Sequence, residues 1–175
     1  FTIPLDTRGE WFRYHHLFAD LLRKQLRQQT ATEQVGVLLQ RASAWHEENG
    51  SLDEAVRYSL QAQDYGRVVR LVDEAASTGR LESRLTTMLH WLEEVPEEML
   101  LLRPRLRLYQ AWALVINEQL DLARQVLRTS ADALQSMPPS TETDAVRDEL
   151  HELLATVDSM ASALAAAYGG EHLEK

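Results

Sequence analysis

Asn49-Gly50-Ser51, set between two runs of helical periodicity, is the feature that most constrains how this chain can fold. From Ala42 to Ala62 the sequence reads as the end of one helix, a tight turn and a second helix folded back on the first. Asn and Gly tolerate the left-handed backbone in which many helices end. Ser51 is an N-cap residue type, and Glu54 three residues later completes the pattern of a capping box. Small residues at Ser43, Ala55 and Ala62 allow the two helices to approach closely. A helical hairpin is the expected unit.

The unit recurs. Leu52-Asp53-Glu54-Ala55 returns 68 residues later as Leu120-Asp121-Leu122-Ala123, and Ser43 and Ala62 return as Ala111 and Ser130. That offset is twice the 34-residue tetratricopeptide period. The unit between is degenerate, because position 86 begins Thr-Thr-Met-Leu rather than a Leu-Asp turn. Chance matching in a Leu- and Ala-rich chain is the competing explanation, and the matched small positions favour the repeat. The expected class is all-α: a tetratricopeptide-like, right-handed superhelix of antiparallel helix pairs, preceded by a short β-hairpin.

Residues 1–14 are the part that does not read as helical. Phe-Thr-Ile-Pro-Leu alternates, Asp6-Thr7-Arg8-Gly9 is turn chemistry, and Trp11, Phe12 and Tyr14 favour strands. Two strands alone are marginal in water, so the hairpin is expected to lean on a neighbour. A helix from about His15 to Gln28 places Tyr14, Leu17, Phe18, Leu21, Leu22 and Leu26 on one face.

The next helix, from Thr32 to Asn49, points Val35, Leu38, Leu39, Ala42 and Trp45 inward. After the helix over 52–62, Asp64 is placed to cap a fourth. A fifth carries Leu81, Leu85, Met88, Leu89, Leu92 and Val95 and stops at Pro96. Residues 97–102 read as a turn, and Pro104 suits a first helical position. Two further helices end before Pro138-Pro139, and a last helix spans about 141–168. In it Val146, Leu150, Leu153, Val157, Met160 and Leu164 follow a heptad. That seam either closes the stack or pairs with a second copy, and capping is the commoner role of a last helix.

The run from Leu5 to Leu22, including Thr7-Arg8-Gly9-Glu10-Trp11-Phe12-Arg13-Tyr14-His15-His16-Leu17-Phe18, closely resembles the end of the winged-helix domain in MalT-like, LuxR-type ATP-dependent transcriptional regulators. Arg41-Ala42-Ser43-Ala44-Trp45-His46-Glu47-Glu48-Asn49-Gly50 is similar to the start of the helical-repeat region in the same family. The resemblance covers roughly residues 1–62 and becomes one of pattern beyond about residue 100.

The resemblance implies three regions: 1–30 as the end of the winged-helix domain, 31–137 as tetratricopeptide-like repeats, and 138–175 as a long helix packing on or capping the stack. It also implies an ATPase of the signal-transduction (STAND) class upstream of residue 1 and a DNA-binding helix-turn-helix beyond residue 175. In that family nucleotide and inducer together convert an autoinhibited monomer into an activating oligomer. ATP would then bind the upstream domain, and no cofactor is expected within these residues. The implied partners are the other domains of the same chain and a small-molecule inducer or protein effector, with self-association possible. A free-standing tetratricopeptide adaptor is the alternative, although an adaptor has no need of the Trp11–Tyr14 entry.

Charge and composition narrow the function. The net charge is −9, which argues against a nucleic-acid-gripping surface in this segment. The absence of cysteine excludes disulfides, thiolate zinc ligands and a thiol nucleophile. No apolar run approaches the roughly 18 residues of a membrane span, and no signal-peptide pattern opens the chain, so a cytoplasmic protein is expected. The start at Phe1 without methionine suggests a piece of something longer.

The six histidines do not assemble into a ligand motif: His46 and His151 each lack a second histidine four residues on. His15 and His16, if both helical, point about 100° apart. No phosphate loop, dinucleotide fingerprint or nucleophile elbow occurs, so a non-catalytic chain is expected. Arg103, Arg105 and Arg107 alternate at a helix entry, where solvated or salt-bridged side chains are commoner than an anion site. Tyr58, Trp91 and Trp112 are the candidate effector or partner surface, since the concave face of a repeat stack is where ligands bind. Trp11, Arg13, Tyr14 and His15 are the candidate interdomain contact.

Overall fold

The computed structural model describes residues 1–10, 12–81 and 83–169. Among them are two strands and nine helices, in two compact units, Phe1–Gln63 and Asp64–Lys175. The chain is all-α apart from its N-terminal hairpin, and helices adjacent in sequence pack on one another within each unit, as α2 does on α3 and α7 on α8.

In the first unit β1 (Thr2–Pro4) pairs antiparallel with β2 (Phe12–Tyr14), matching Thr2 to Tyr14 and Pro4 to Phe12. The turn follows its residue chemistry. Gly9 takes φ 69°, and the Glu10 amide donates to the Asp6 carboxylate at 3.0 Å. The hairpin leans on α1 (His16–Gln29) through Phe18, whose ring stacks on Phe1 at 5.1 Å and meets Tyr14 edge-on at 5.4 Å. The amide of His15 closes the arrangement by donating to the Phe1 carbonyl at 2.8 Å. His15 itself is extended, with φ −54° and ψ 136°, and is the N-cap of α1 rather than a helical residue. Its ring therefore lies 4.3 Å from that of His16, unlike the splayed pair expected of two helical neighbours.

Helices α2 (Thr32–Glu48) and α3 (Leu52–Gln61) form the expected hairpin. Ser43 and Ala55 are fully buried where the helices cross, and the Ser43 hydroxyl donates to the Ala55 carbonyl at 2.9 Å. Ser59 meets the same hydroxyl at 2.8 Å, so the small polar contact is satisfied without water. Two expectations fail on α2. Leu38 and Trp45 are 44% and 45% exposed, because close approach at Ser43 leaves the flanks of the helix outside the contact.

The second unit contains α4 (Tyr65–Ser77), α5 (Leu85–Glu93), α6 (Glu97–Leu101), α7 (Pro104–Ile116), α8 (Leu120–Gln135) and α9 (Thr141–Gly169). Asp64 caps α4 by accepting from the Arg67 amide at 3.2 Å, and Pro104 opens α7 as its first helical residue. The stretch expected as a turn after Pro96 is instead the five-residue α6, too short to show periodicity. Leu81 lies ahead of α5 in a turn, yet is 2% exposed and belongs to the core. That core also takes Val68 and Val72 from α4, Met88 and Leu92 from α5, Leu106 from α7, and Leu127 and Leu134 from α8.

The 68-residue repeat is visible in backbone hydrogen bonds. At the end of α2 the Gly50 amide donates to the Glu47 carbonyl and the Ser51 amide to that of His46. At the end of α7 the Glu118 amide donates to Val115 and the Gln119 amide to Leu114. Both are Schellman closures. In both, an asparagine side chain reaches back four residues: Asn49 to the Trp45 carbonyl at 2.8 Å and Asn117 to that of Ala113 at 2.7 Å. The left-handed position is Gly50 in one (φ 74°) and Glu118 in the other (φ 62°). Because Ser51 also ends the preceding motif, its ψ of 76° is not that of an ordinary N-cap and no side-chain cap bond forms.

The two turns should respond oppositely to substitution. A Cβ at Gly50 would meet nothing within 4 Å, so the cost of Gly50→Ala is conformational. It is expected to be about 1 kcal/mol, while Glu118→Gly is expected to stabilise by about 0.5–1 kcal/mol. Thermal unfolding checks both, since each kcal/mol moves Tm by roughly 2–4 °C in a chain of this size. Opposite signs support the equivalence of the two turns, and a stabilising Gly50→Ala would refute it.

Candidate functional site

The residues nominated from sequence fall in different surroundings. On the hairpin Arg13 is exposed and Tyr14 is 52% exposed, while His15 is half-buried at the start of α1. Trp11 lies outside the described residues. The hairpin and α1 share an apolar recess of about 600 Å³ lined by Phe1, Ile3, His15, Leu17, Phe18 and Leu21. The stripe that periodicity assigned to α1 remains open to solvent, with Leu17 68% and Leu21 57% exposed. Isolated surface leucines need no explanation, whereas a contiguous exposed apolar stripe is the kind of feature that marks interaction sites in general.

Tyr58 is half-buried on α3 and stacks on His46 of α2, with ring centroids 5.3 Å apart and planes 17° apart. The Arg57 guanidinium lies 4.9 Å from the Tyr58 ring, and Trp45 meets His46 edge-on at 5.0 Å. Within the second unit Trp91 is a core side chain, 7% exposed, with the Arg84 guanidinium 5.7 Å from its ring. Little of its indole is left for a ligand. Trp112 on α7 is 47% exposed and can meet a partner.

Sequence reading placed Arg107 with Arg103 and Arg105 at a solvated or salt-bridged helix entry and did not anticipate its burial. It is 3% exposed on α7, and four hydrogen bonds hold its guanidinium. Nε donates to the Ser130 hydroxyl at 3.2 Å, and Nη1 donates to Gln110 Oε1 at 2.9 Å. Nη2 donates to Glu97 Oε1 at 2.9 Å and to the Thr129 hydroxyl at 2.8 Å. One side chain thus ties α6, α7 and α8 together. Burial lowers its pKa from the ordinary arginine value, while the Glu97 carboxylate opposes that shift. The signal existed in the sequence: Arg107, Ala111 and Leu114 share one helical face, as do Ala123, Leu127, Ser130 and Leu134. A polar residue interrupts each apolar stripe, and the two interruptions meet.

Arg103 and Arg105 are placed differently from Arg107. Arg103 pairs with Asp73 at 3.6 Å, and Arg105 is exposed. Among the described residues no group of three or more His, Asp or Glu could hold a metal ion, and no helix is long and apolar enough to cross a membrane.

The features in hand define a class: an all-α chain of packed helices whose N-terminal β-hairpin leans on a helix with an exposed apolar face. Comparison with known proteins makes it particular. Residues 1–34 match the MalT winged helix domain. Over 153 residues, 86% of this chain, the sequence is 36% identical to the serine/threonine-protein kinase PknK of Mycobacterium tuberculosis, and equally to that of Mycobacterium bovis. Over 153 residues, 87% of this chain, it is 31% identical to the HTH-type transcriptional regulator MalT of Cronobacter sakazakii. The chain is accordingly similar to a segment of MalT and of PknK, and its match to the MalT winged helix domain is confined to the first 34 residues. It spans only 14% of the length of the PknK relatives and 16% of that of MalT. No solved structure matches.

Proposed function

We propose that this chain is a non-catalytic coupling module of a MalT-like, LuxR-type regulator, relaying an event on its helix pairs to domains on either side. One observation carries the reading. The same segment is similar to part of a transcriptional regulator and to part of a protein kinase, two proteins whose outputs differ. What they share in this region is more economically a relay than the chemistry of either output. In this reading an ATPase and a DNA-binding domain lie elsewhere in the longer chain, ATP binds there, and a small inducer or protein effector acts on the helices. Neighbouring domains of the same chain are the first partners, and self-association follows release. Helix pairs suit the task, since small changes in packing between two discrete arrangements pass along contiguous elements.

The hairpin is the natural inhibitory contact. Arg13 and Tyr14 present a charge and an aromatic surface beside the open face of α1. In the longer protein, Arg13→Ala with Tyr14→Ala is expected to raise effector-free output severalfold and leave helical content unchanged. Reporter transcription and circular dichroism measure the two. Basal output equal to the parent's would remove the hairpin from the inhibitory contact. The alternative, a stand-alone tetratricopeptide-type adaptor, predicts no effect of these residues on any domain outside the repeats.

A further inference from the structure

Between the turn that enters α7, the C-terminal half of α4 and the start of α9 lies a cavity of about 280 Å³. Its charged lining consists of Arg103, Arg105 and Asp73, and its apolar lining includes Leu102, Met137 and Val146. We propose that this cavity binds a small amphipathic monocarboxylate, the carboxylate on the two guanidinium groups and the hydrocarbon body on the apolar wall. The proposal stands on the chemistry of the cavity and does not depend on the coupling role.

Three observations lead to it. The lining combines charge with apolar surface: Arg103 and Arg105 come from the α7 entry together with Leu102 and Pro104, while Met137, Thr143 and Val146 come from the α8–α9 connection and α9. An apolar wall with a few convergent polar groups is the ordinary make-up of a small-molecule site. The charge balance selects the ligand. Asp73 already neutralises Arg103 at 3.6 Å, whereas Arg105 has no ion pair among the described residues. The cavity thus carries one uncompensated positive charge, which suits a monoanion better than a phosphate dianion.

Size sets the body of the ligand. A volume of 280 Å³ is close to the roughly 300 Å³ floor of ligand pockets, room for a phenyl ring or a short alkyl chain and its headgroup. Arginine's planar fork accepts a carboxylate through two parallel hydrogen bonds, which makes Arg105 the primary anchor. Arg103 would be shared between Asp73 and the ligand.

Phenylacetate and octanoate are suitable probes, and phenylacetamide is the neutral control. Titrated into the protein, both acids are expected to give saturable shifts of the Leu102 and Met137 methyl resonances, and phenylacetamide none. Arg105→Gln, at an exposed position that leaves the fold intact by circular dichroism, is expected to weaken phenylacetate binding about tenfold. Asp73→Asn frees Arg103 and is expected to tighten it severalfold. Failure of both acids to saturate would overturn the assignment. So would equal binding of phenylacetamide, parent affinity in Arg105→Gln, or weaker binding in Asp73→Asn.

Discussion

Leu153→Lys is expected to unfold the second unit or to lower its Tm by more than about 10 °C, at every protein concentration. Leu153 sits on α9 with 2% exposure, and Val146, Leu150 and Val157 on the same stripe are equally buried. These residues close over α7 and α8. Removing a buried leucine costs about 2–5 kcal/mol, and an uncompensated ammonium in its place adds more. Each kcal/mol is worth roughly 2–4 °C here. Leu164→Lys, eleven residues on along the same heptad, is the internal comparison. Leu164 is 52% exposed, and the substitution is expected to change stability by no more than about 0.5 kcal/mol. Sedimentation with thermal melting separates the explanations. A seam that joined two copies would make Leu153→Lys a folded monomer, and that result would refute the intramolecular account.

The heptad of α9 is thus two surfaces in one pattern, and the sequence could not divide them. Periodicity reports that Val146 and Leu164 share a face, but not how far the neighbouring helix extends along it. Helix α9 has 29 residues and α8 has 16, about 43 Å against 24 Å, so the stripe outruns its cover. The same limit explains α1, whose leucines were legible as a stripe but stay open to solvent, Leu17 and Leu21 most of all. It also explains Trp45, placed inward by spacing and left half in solvent.

Local backbone chemistry was more readable. Gly50, Asp64 and Pro104 each marked an element end correctly, because each acts within a few residues of itself. The Ser51-Glu54 capping box failed for a reason equally local: Ser51 was already committed to closing α2. For the candidate site, sequence nominated aromatic rings by type and could not tell core Trp91 from exposed Trp112. It passed over Arg107 because alternating arginines at a helix entry look solvated, and only packing shows which of the three turns inward.

Arg107 is where burial and charge conflict most, and two substitutions resolve the balance. Arg107→Ala is expected to cost about 2–4 kcal/mol. It deletes the buried stem, leaves a cavity among α6, α7 and α8, and removes four hydrogen bonds, one of them to a carboxylate. The groups left behind are not orphaned. Thr129 and Ser130 also bond backbone carbonyls on their own helix, at 3.1 Å to Gln125 and 2.6 Å to Val126, and Glu97 is 55% exposed and returns to water. Stem volume should therefore matter more than charge. Arg107→Met keeps most of that volume and removes the desolvated cation, whose burial opposes its own charge. A buried ion pair often contributes no more than a hydrophobic replacement of similar shape. Arg107→Met is accordingly expected to lie within about 1 kcal/mol of the parent in urea unfolding, while Arg107→Ala falls well below it. Equal large losses in both variants would show that the charge network itself, rather than packing around the stem, holds α6 and α8 on α7.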